Sequence, residues 1–144
     1  MAARTANALW EGSLQEGRGS MSLGSGAFEG AYSFQSRFGE GENGTNPEEL
    51  LAAAHAGCFS MALSLVLGEA GHDPESIQTT AKVGMRNTDD GPTITRVALT
   101  TRARVPGIEE AAFEQAAETA KKSCVVSRAL AGVGEITLDA TLEG

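Results

Sequence analysis

Between Thr45 and Gly68 the chain reads TNPEELLAAAHAGCFSMALSLVLG. Leu51, Ala54, Cys58, Met61, Ala62 and Leu65 recur there at helical spacing, which predicts one long helix with Cys58 on its apolar stripe. The start of the helix is marked chemically. Asn46 suits the cap, Pro47 the first helical position and Glu49 the third, much as in a capping box. Gly68 and the AGHDP stretch stop it. Before this helix, residues 3–12, 14–23 and 27–35 alternate loosely between apolar and polar positions and are punctuated by glycines. They predict three antiparallel strands with tight turns. RFGEGENG, residues 37–44, reads as a Gly-rich polar loop.

Beyond the helix, Ile77, Thr79, Ala81, Val83 and Met85 alternate, as do Val97, Leu99, Thr101, Ala103 and Val105. NTDDGP between them is a turn, so a hairpin is expected. PGIEEAAFEQAAETAKKSC predicts a second helix, with acids early and Lys121 and Lys122 late, as the helix dipole favours. Its inner face should carry Phe113, Ala116, Ala117, Ala120 and Cys124. A short helix at SRALAG follows. Ile136, Leu138, Ala140 and Leu142 predict a last strand. The order βββαββαβ implies an α+β fold with antiparallel sheets packed on two helices. The 144 residues are expected to form a single domain.

Composition narrows the function. Hydrophobic residues make up 41% of the chain and the formal net charge is −8. That balance argues against nucleic acid and anionic membranes and favours a small-molecule partner. No apolar run is expected to approach the ~20 residues of a membrane-spanning helix. MAARTANALWEGSLQ lacks the apolar segment of a signal peptide. A cytoplasmic, reducing location follows as the expectation, and there two cysteines are poor candidates for a permanent disulfide.

Both cysteines are expected on the inner faces of the two main helices. They read equally as two inert core residues or as a pair within disulfide reach. A reactive thiol needs a neighbouring cation. His55, one turn before Cys58, reads more readily as a packed core residue than as that partner. Arg37, ahead of the Gly-rich loop, and Arg18, between two glycines, are better candidates. Glu48 lies ten residues before Cys58, ~15 Å along one helix, and so cannot touch that thiol. It is placed instead to orient an arginine of the adjoining loop, or to act across a two-fold axis. Two cysteines and two histidines without CxxC or HExxH make no metal site, and no cofactor is expected. There is no P-loop and no GxSxG elbow.

GTNPEELLAAAHAGCFSMALSLVLGEAG closely resembles the osmotically inducible protein C family of bacterial peroxidases. YSFQSRF, TRARVPGI, the AKKSC segment with VSRAL after it, and EITLDATLE fit in order. The resemblance implies reduction of organic hydroperoxides in preference to hydrogen peroxide, with no cofactor. It makes Cys58 the peroxidatic and Cys124 the resolving cysteine, joined in a disulfide after turnover. It pairs Glu48 with Arg37. A sister branch, the organic hydroperoxide resistance proteins, uses an arginine that falls at Arg18; Arg37 is favoured here. The resemblance also implies an intertwined homodimer and an external dithiol reductant of lipoyl type. Phe38, Phe59 and Met61 are expected to receive a hydrocarbon tail. One departure stands out: Val125 follows Cys124 where the family commonly has proline. Two other readings stay open, a thiol-based acyl hydrolase and a non-catalytic stress or small-molecule binding protein with inert cysteines.

Overall fold

The computed structural model describes residues 1–40 and 43–144. The elements run β1 (Ala6–Glu11), β2 (Arg18–Leu23), β3 (Glu29–Tyr32), α1 (Phe34–Phe38), α2 (Pro47–Glu69), β4 (Ser76–Thr88), β5 (Gly91–Arg104), α3 (Glu110–Ser123), α4 (Val125–Ala129) and β6 (Glu135–Glu143). This is the expected α+β order with α1 added; α4 is the short helix expected at SRALAG, begun two residues earlier. Two compact units divide the chain, Met1–Leu50 and Leu51–Gly144.

In the first unit, β1, β2 and β3 form an antiparallel meander. Trp10 and Tyr32 reach toward one another across the middle strand, ring centroids 5.3 Å apart. Gly19 lies between them in register. A Cβ there would come within 2.5 Å of the Tyr32 ring and 2.7 Å of the Trp10 ring, so only glycine lets the two aromatics close over the strand. The third strand stops earlier than the 27–35 alternation suggests. Ser33 is extended and caps α1: its Oγ accepts from the Ser36 N–H at 3.1 Å, and the Ser33 N–H donates to Ser36 Oγ at 2.9 Å. That reciprocal pair turns SFQSRF from strand to helix. The expected Gly-rich loop, 37–44, is therefore helical at its start, and its residues 41–42 lie outside the described ones.

In the second unit, β4 and β5 form the expected hairpin, extended beyond the alternating stretches and shifted in register at Gly84/Met85. β6 pairs with β5 in parallel, which corrects the expectation of purely antiparallel sheets. Alternation looks the same in either strand direction. The direction is set by the crossover through α3 and α4, long enough to return the chain to the same end of the sheet. On the inner face, Val97, Leu99 and Ala103 of β5 pack with Phe113, Ala117 and Ala120 of α3, all 0–1% exposed. α3 thus buries the face its sequence predicts.

α2 does not. His55, Phe59, Leu63 and Leu67, four residues apart, are the fully buried stripe. Of the predicted stripe, Ala54, Met61 and Leu65 are exposed, and Leu51, Cys58 and Ala62 are half-buried. The helix is apolar on every side, so periodicity alone does not select the inward face. The expectation about membrane spans is also corrected: α2 is long and apolar enough to cross a bilayer by length and composition. Four of its side chains nevertheless fill the core of this unit. A hydroxyl chain secures it to the sheet: Ser60 Oγ donates to Thr79 Oγ1 at 2.8 Å, and Thr79 Oγ1 lies 2.9 Å from the buried Thr101 Oγ1.

Candidate active site

Two groups of functional side chains are formed, one in each unit. In the first unit, α1 presents Arg37 and the first turn of α2 presents Glu48. Arg37 Nε donates to both Glu48 carboxylate oxygens at 3.1 Å, and Nη2 donates to Oε1 at 2.6 Å. This forked, charge-assisted contact fixes the plane of the guanidinium as well as its position. Glu48 is 9% exposed and Arg37 keeps about a third of its side chain in solvent. The start of α2 is pinned locally: Asn46 Oδ1 accepts from the Glu49 N–H at 2.7 Å, and Asn46 Nδ2 donates to the Ser36 carbonyl at 3.1 Å. Glu49 turns to the Thr45 hydroxyl instead of completing a capping box. The Arg37 guanidinium also lies 5.2 Å from the Phe38 ring centre. Trp10, Leu14, Tyr32, Phe34, Arg37 and Phe38 line a cleft of about 220 Å³. Ser33 completes the lining, so the cleft is mainly aromatic and apolar with Arg37 as its cationic wall.

Arg18 opens β2 and faces Glu11 at 4.0 Å, with 84% of its side chain exposed. An exposed pair at that distance holds neither partner in a defined place.

In the second unit, the tertiary fold brings Cys58 of α2 to Cys124, sixty-six positions later. Both are free thiols, close enough for each to shift the titration of the other. Cys124 is 1% exposed and sits at the joint between α3 and α4, ending one helix and opening the next with ψ 126°. Burial pushes its thiol up. The Ser127 N–H, the Cys58 thiol, the Ser127 hydroxyl and the Val126 N–H together outweigh that, and the net direction is down. The amides act by their polarity, since Cys124 makes no capping bond of full geometry. Cys58 goes the other way. Burial raises it, the Val126 N–H opposes, the neighbouring Cys124 raises it further, and the Val125 N–H opposes. Proline at position 125 would have no such N–H. Within this unit no cationic side chain among the described residues contributes to either thiol.

His55 is fully buried, as the core reading expects. Its Nε2 lies 2.7 Å from Ser127 Oγ, and Nδ1 has no hydrogen-bond partner among the described residues. A buried orphan of this kind costs roughly 1–3 kcal/mol. Burial lowers its pKa, keeping the ring neutral near pH 7. Ser127 was not singled out by the sequence; its signal was the i+3 spacing from Cys124. Phe59 is sealed in the core and Met61 is 76% exposed, so neither lines the aromatic cleft with Phe38. No group of three or more metal-ligating side chains occurs among the described residues.

A family model described as OsmC-like protein matches residues 39–139. A protein named peroxiredoxin OsmC from Escherichia coli strain K12 is 50% identical over 137 residues, covering 94% of each chain. Among solved structures, an organic hydroperoxide resistance protein from Elizabethkingia anophelis, with crystallant-derived thiocyanate bound, is 26% identical. It superposes with a TM-score of 0.71 over 99% of this chain and 98% of that one. An OsmC-like protein from Mycoplasma pneumoniae shares the fold at TM-score 0.77 over 99% of both chains, with 17% identity. With the model spanning most of its length and a half-identical relative nearly all of it, the chain belongs to the OsmC-like protein family.

Proposed function

We propose that this chain is a thiol-dependent peroxidase that reduces organic hydroperoxides to alcohols. The observation that carries the reading is a pair of free, neighbouring cysteines in a chain half-identical to a peroxiredoxin. Cys58, as thiolate, attacks the outer oxygen of R–O–OH. The O–O bond breaks, the alkoxide takes a proton and leaves as alcohol, and Cys58 becomes a sulfenic acid. Cys124 attacks that sulfur, the S–O bond breaks, water leaves and a Cys58–Cys124 disulfide remains. An external dithiol, of lipoyl type, restores both thiols by exchange.

The Cys58 thiol is raised within its own unit, so the reaction needs a cation from elsewhere. Arg37, held in a fixed plane by Glu48, is assigned that role; the unanchored Arg18 is the second candidate. The aromatic cleft beside Arg37 suits a hydrocarbon tail, each Å² of which gains ~25 cal/mol on burial, a gain hydrogen peroxide cannot make. A homodimer is part of the reading. Its support is the exposed apolar stripe of α2, with Met61 at 76% and Leu65 at 62%. The 144 residues act as one domain, in the cytoplasm.

The test is hydroperoxide consumption with a lipoyl dithiol by the wild type, Cys58→Ser and Cys124→Ser. Cys58→Ser should be inactive, and Cys124→Ser should complete about one turnover and stall. Turnover of activated esters that needs Cys58 but not Cys124 would indicate an acyl hydrolase. Thiols that react only after unfolding would indicate an inert core.

A further inference from the structure

His55 takes no part in the peroxide chemistry above, yet it is held at 0% exposure in the middle of α2. Its only hydrogen-bond partner among the described residues is Ser127, which is 7% exposed. Ser127 lies three residues after Cys124 on α4, the helix that Cys124 opens. That spacing puts Ser127 on the first turn after Cys124, where its N–H and hydroxyl act on the thiol by their polarity without a capping bond of full geometry.

The bond between His55 and Ser127 has two possible directions. If the serine hydroxyl donates to Nε2, the ring proton must sit on Nδ1. It would be a buried donor with no acceptor, and the hydroxyl proton would point away from the sulfur. If Nε2–H donates to the hydroxyl, Nδ1 keeps only a lone pair, and the hydroxyl proton is free to turn to the Cys124 sulfur. The second arrangement satisfies more groups, because an orphaned buried N–H is the rarer defect in folded proteins.

We propose that His55 is a positioning residue for disulfide closure: through Ser127 it aims a hydroxyl proton at Cys124 and so readies that sulfur for attack. The inference rests on the reading in which Cys124 resolves the Cys58 sulfenic acid. In that step the Cys124 sulfur gives up its proton and bonds to the Cys58 sulfur. The S–O bond breaks, and the departing hydroxide takes up a proton to become water. Ser127 and His55 keep their protons throughout. Their chain stabilises the negative charge on Cys124 before the new bond forms.

The surroundings agree. Burial lowers the His55 pKa, and no charged group is among its causes, so the ring stays neutral with a single N–H to direct. The titratable group facing Cys124 from α2 is Cys58. On the adjoining helices, Lys121 is engaged by Glu118 at 3.0 Å, and Lys122 and Arg128 are exposed. The Ser127 hydroxyl is itself one of the groups that draw Cys124 toward thiolate.

The experiment is a single turnover of the full-length protein with one equivalent of cumene hydroperoxide, quenched at intervals and read by mass spectrometry. It resolves reduced protein, dimedone-trapped sulfenic acid and disulfide, across a pH series. In Ser127→Ala the ratio of closure rate to peroxidation rate should fall roughly tenfold, with the pH midpoint of closure rising by about one unit. His55→Phe should behave alike. His55→Gln, which restores an N–H, should recover closure to within about threefold of the wild type. Closure in Ser127→Ala at the wild-type rate and midpoint would overturn the inference. So would slow closure in His55→Phe without a shifted midpoint and without recovery in His55→Gln, which is the signature of packing alone. Ser127→Ala removes one oxygen atom and carries the test if His55→Phe fails to fold. A wild type that consumes peroxide but never forms the Cys58–Cys124 disulfide would overturn the resolving role and this inference with it. Normal disulfide formation with unaffected variants would overturn only the inference.

Discussion

Helices α2 and α3 each deliver one cysteine to the thiol pair, but their outer surfaces are opposites. α3 shows solvent Glu110, Glu114, Glu118 and Lys122, and buries Phe113, Ala117 and Ala120. α2 buries His55, Phe59, Leu63 and Leu67, and shows solvent Ala54, Met61 and Leu65. A charged outer face finishes a helix within one chain. An apolar one leaves surface that water disfavours and that a second molecule can cover. The contrast extends to the sulfurs. Cys124, at the tip of the finished helix, is drawn toward thiolate by local N–H and O–H groups. Cys58, on the unfinished one, is pushed toward thiol by burial and by its neighbour. Cys58 thus lies on the helix that shows an apolar outer face, and the proposed peroxidatic role would require positive charge from outside its unit.

The inner faces should be equivalent. Phe59→Ala and Phe113→Ala, both at 0% exposure, should each cost about 3–5 kcal/mol in urea denaturation. A much smaller loss at Phe59 would mean that α2 is not truly seated. The outer faces should differ. Met61→Glu combined with Leu65→Glu should halve the sedimenting mass if a second copy covers α2. Glu114→Lys on α3 should leave both mass and stability within about 0.5 kcal/mol of the wild type. An unchanged mass in the double variant would break the comparison.

The buried imidazole supplies a smaller effect with a defined sign. The folded-state pKa of His55 is depressed below its ordinary 6.5. Above that value the ring is neutral in both states and folding is not penalised. As pH falls below it, the unfolded chain takes up a proton that the folded one refuses, and stability drops until the folded pKa is passed. His55→Gln should flatten this part of a denaturation series run downward from pH 7. The smallest effect is expected at position 125. Val125→Pro removes an N–H that favours the Cys58 thiolate, and proline's fixed φ suits the first position of a helix, which residue 125 holds in α4. Alkylation of Cys58 in Cys124→Ser/Val125→Pro, compared with Cys124→Ser alone, should shift to higher pH without loss of fold.

Local pattern made some of this legible. Asn46, Pro47 and the two glutamates mark the start of α2 because capping is a contest among neighbours in sequence. The inner face of α3 was legible because its other faces are charged. The short helix α1 was harder, since its signal is a Ser33–Ser36 capping box hidden in what reads as the end of a strand. The α2 stripe was misassigned for a physical reason: with apolar residues all round, every face is a candidate for burial. Of the stripe that helical spacing favoured, Ala54, Met61 and Leu65 are left uncovered, and Leu51, Cys58 and Ala62 are half-buried.

By itself, then, the sequence determined the order of elements, the existence of two cysteine-bearing helices and the family motif around Cys58. All of these rest on spacing within a few turns of chain. Only the tertiary structure decided that β6 runs parallel to β5, that Arg37 grips Glu48 with two nitrogens, and that Cys58 meets Cys124 while His55 meets Ser127. Those contacts join positions far apart along the chain. Their partners are chosen by which faces pack together, a choice that no local periodicity encodes.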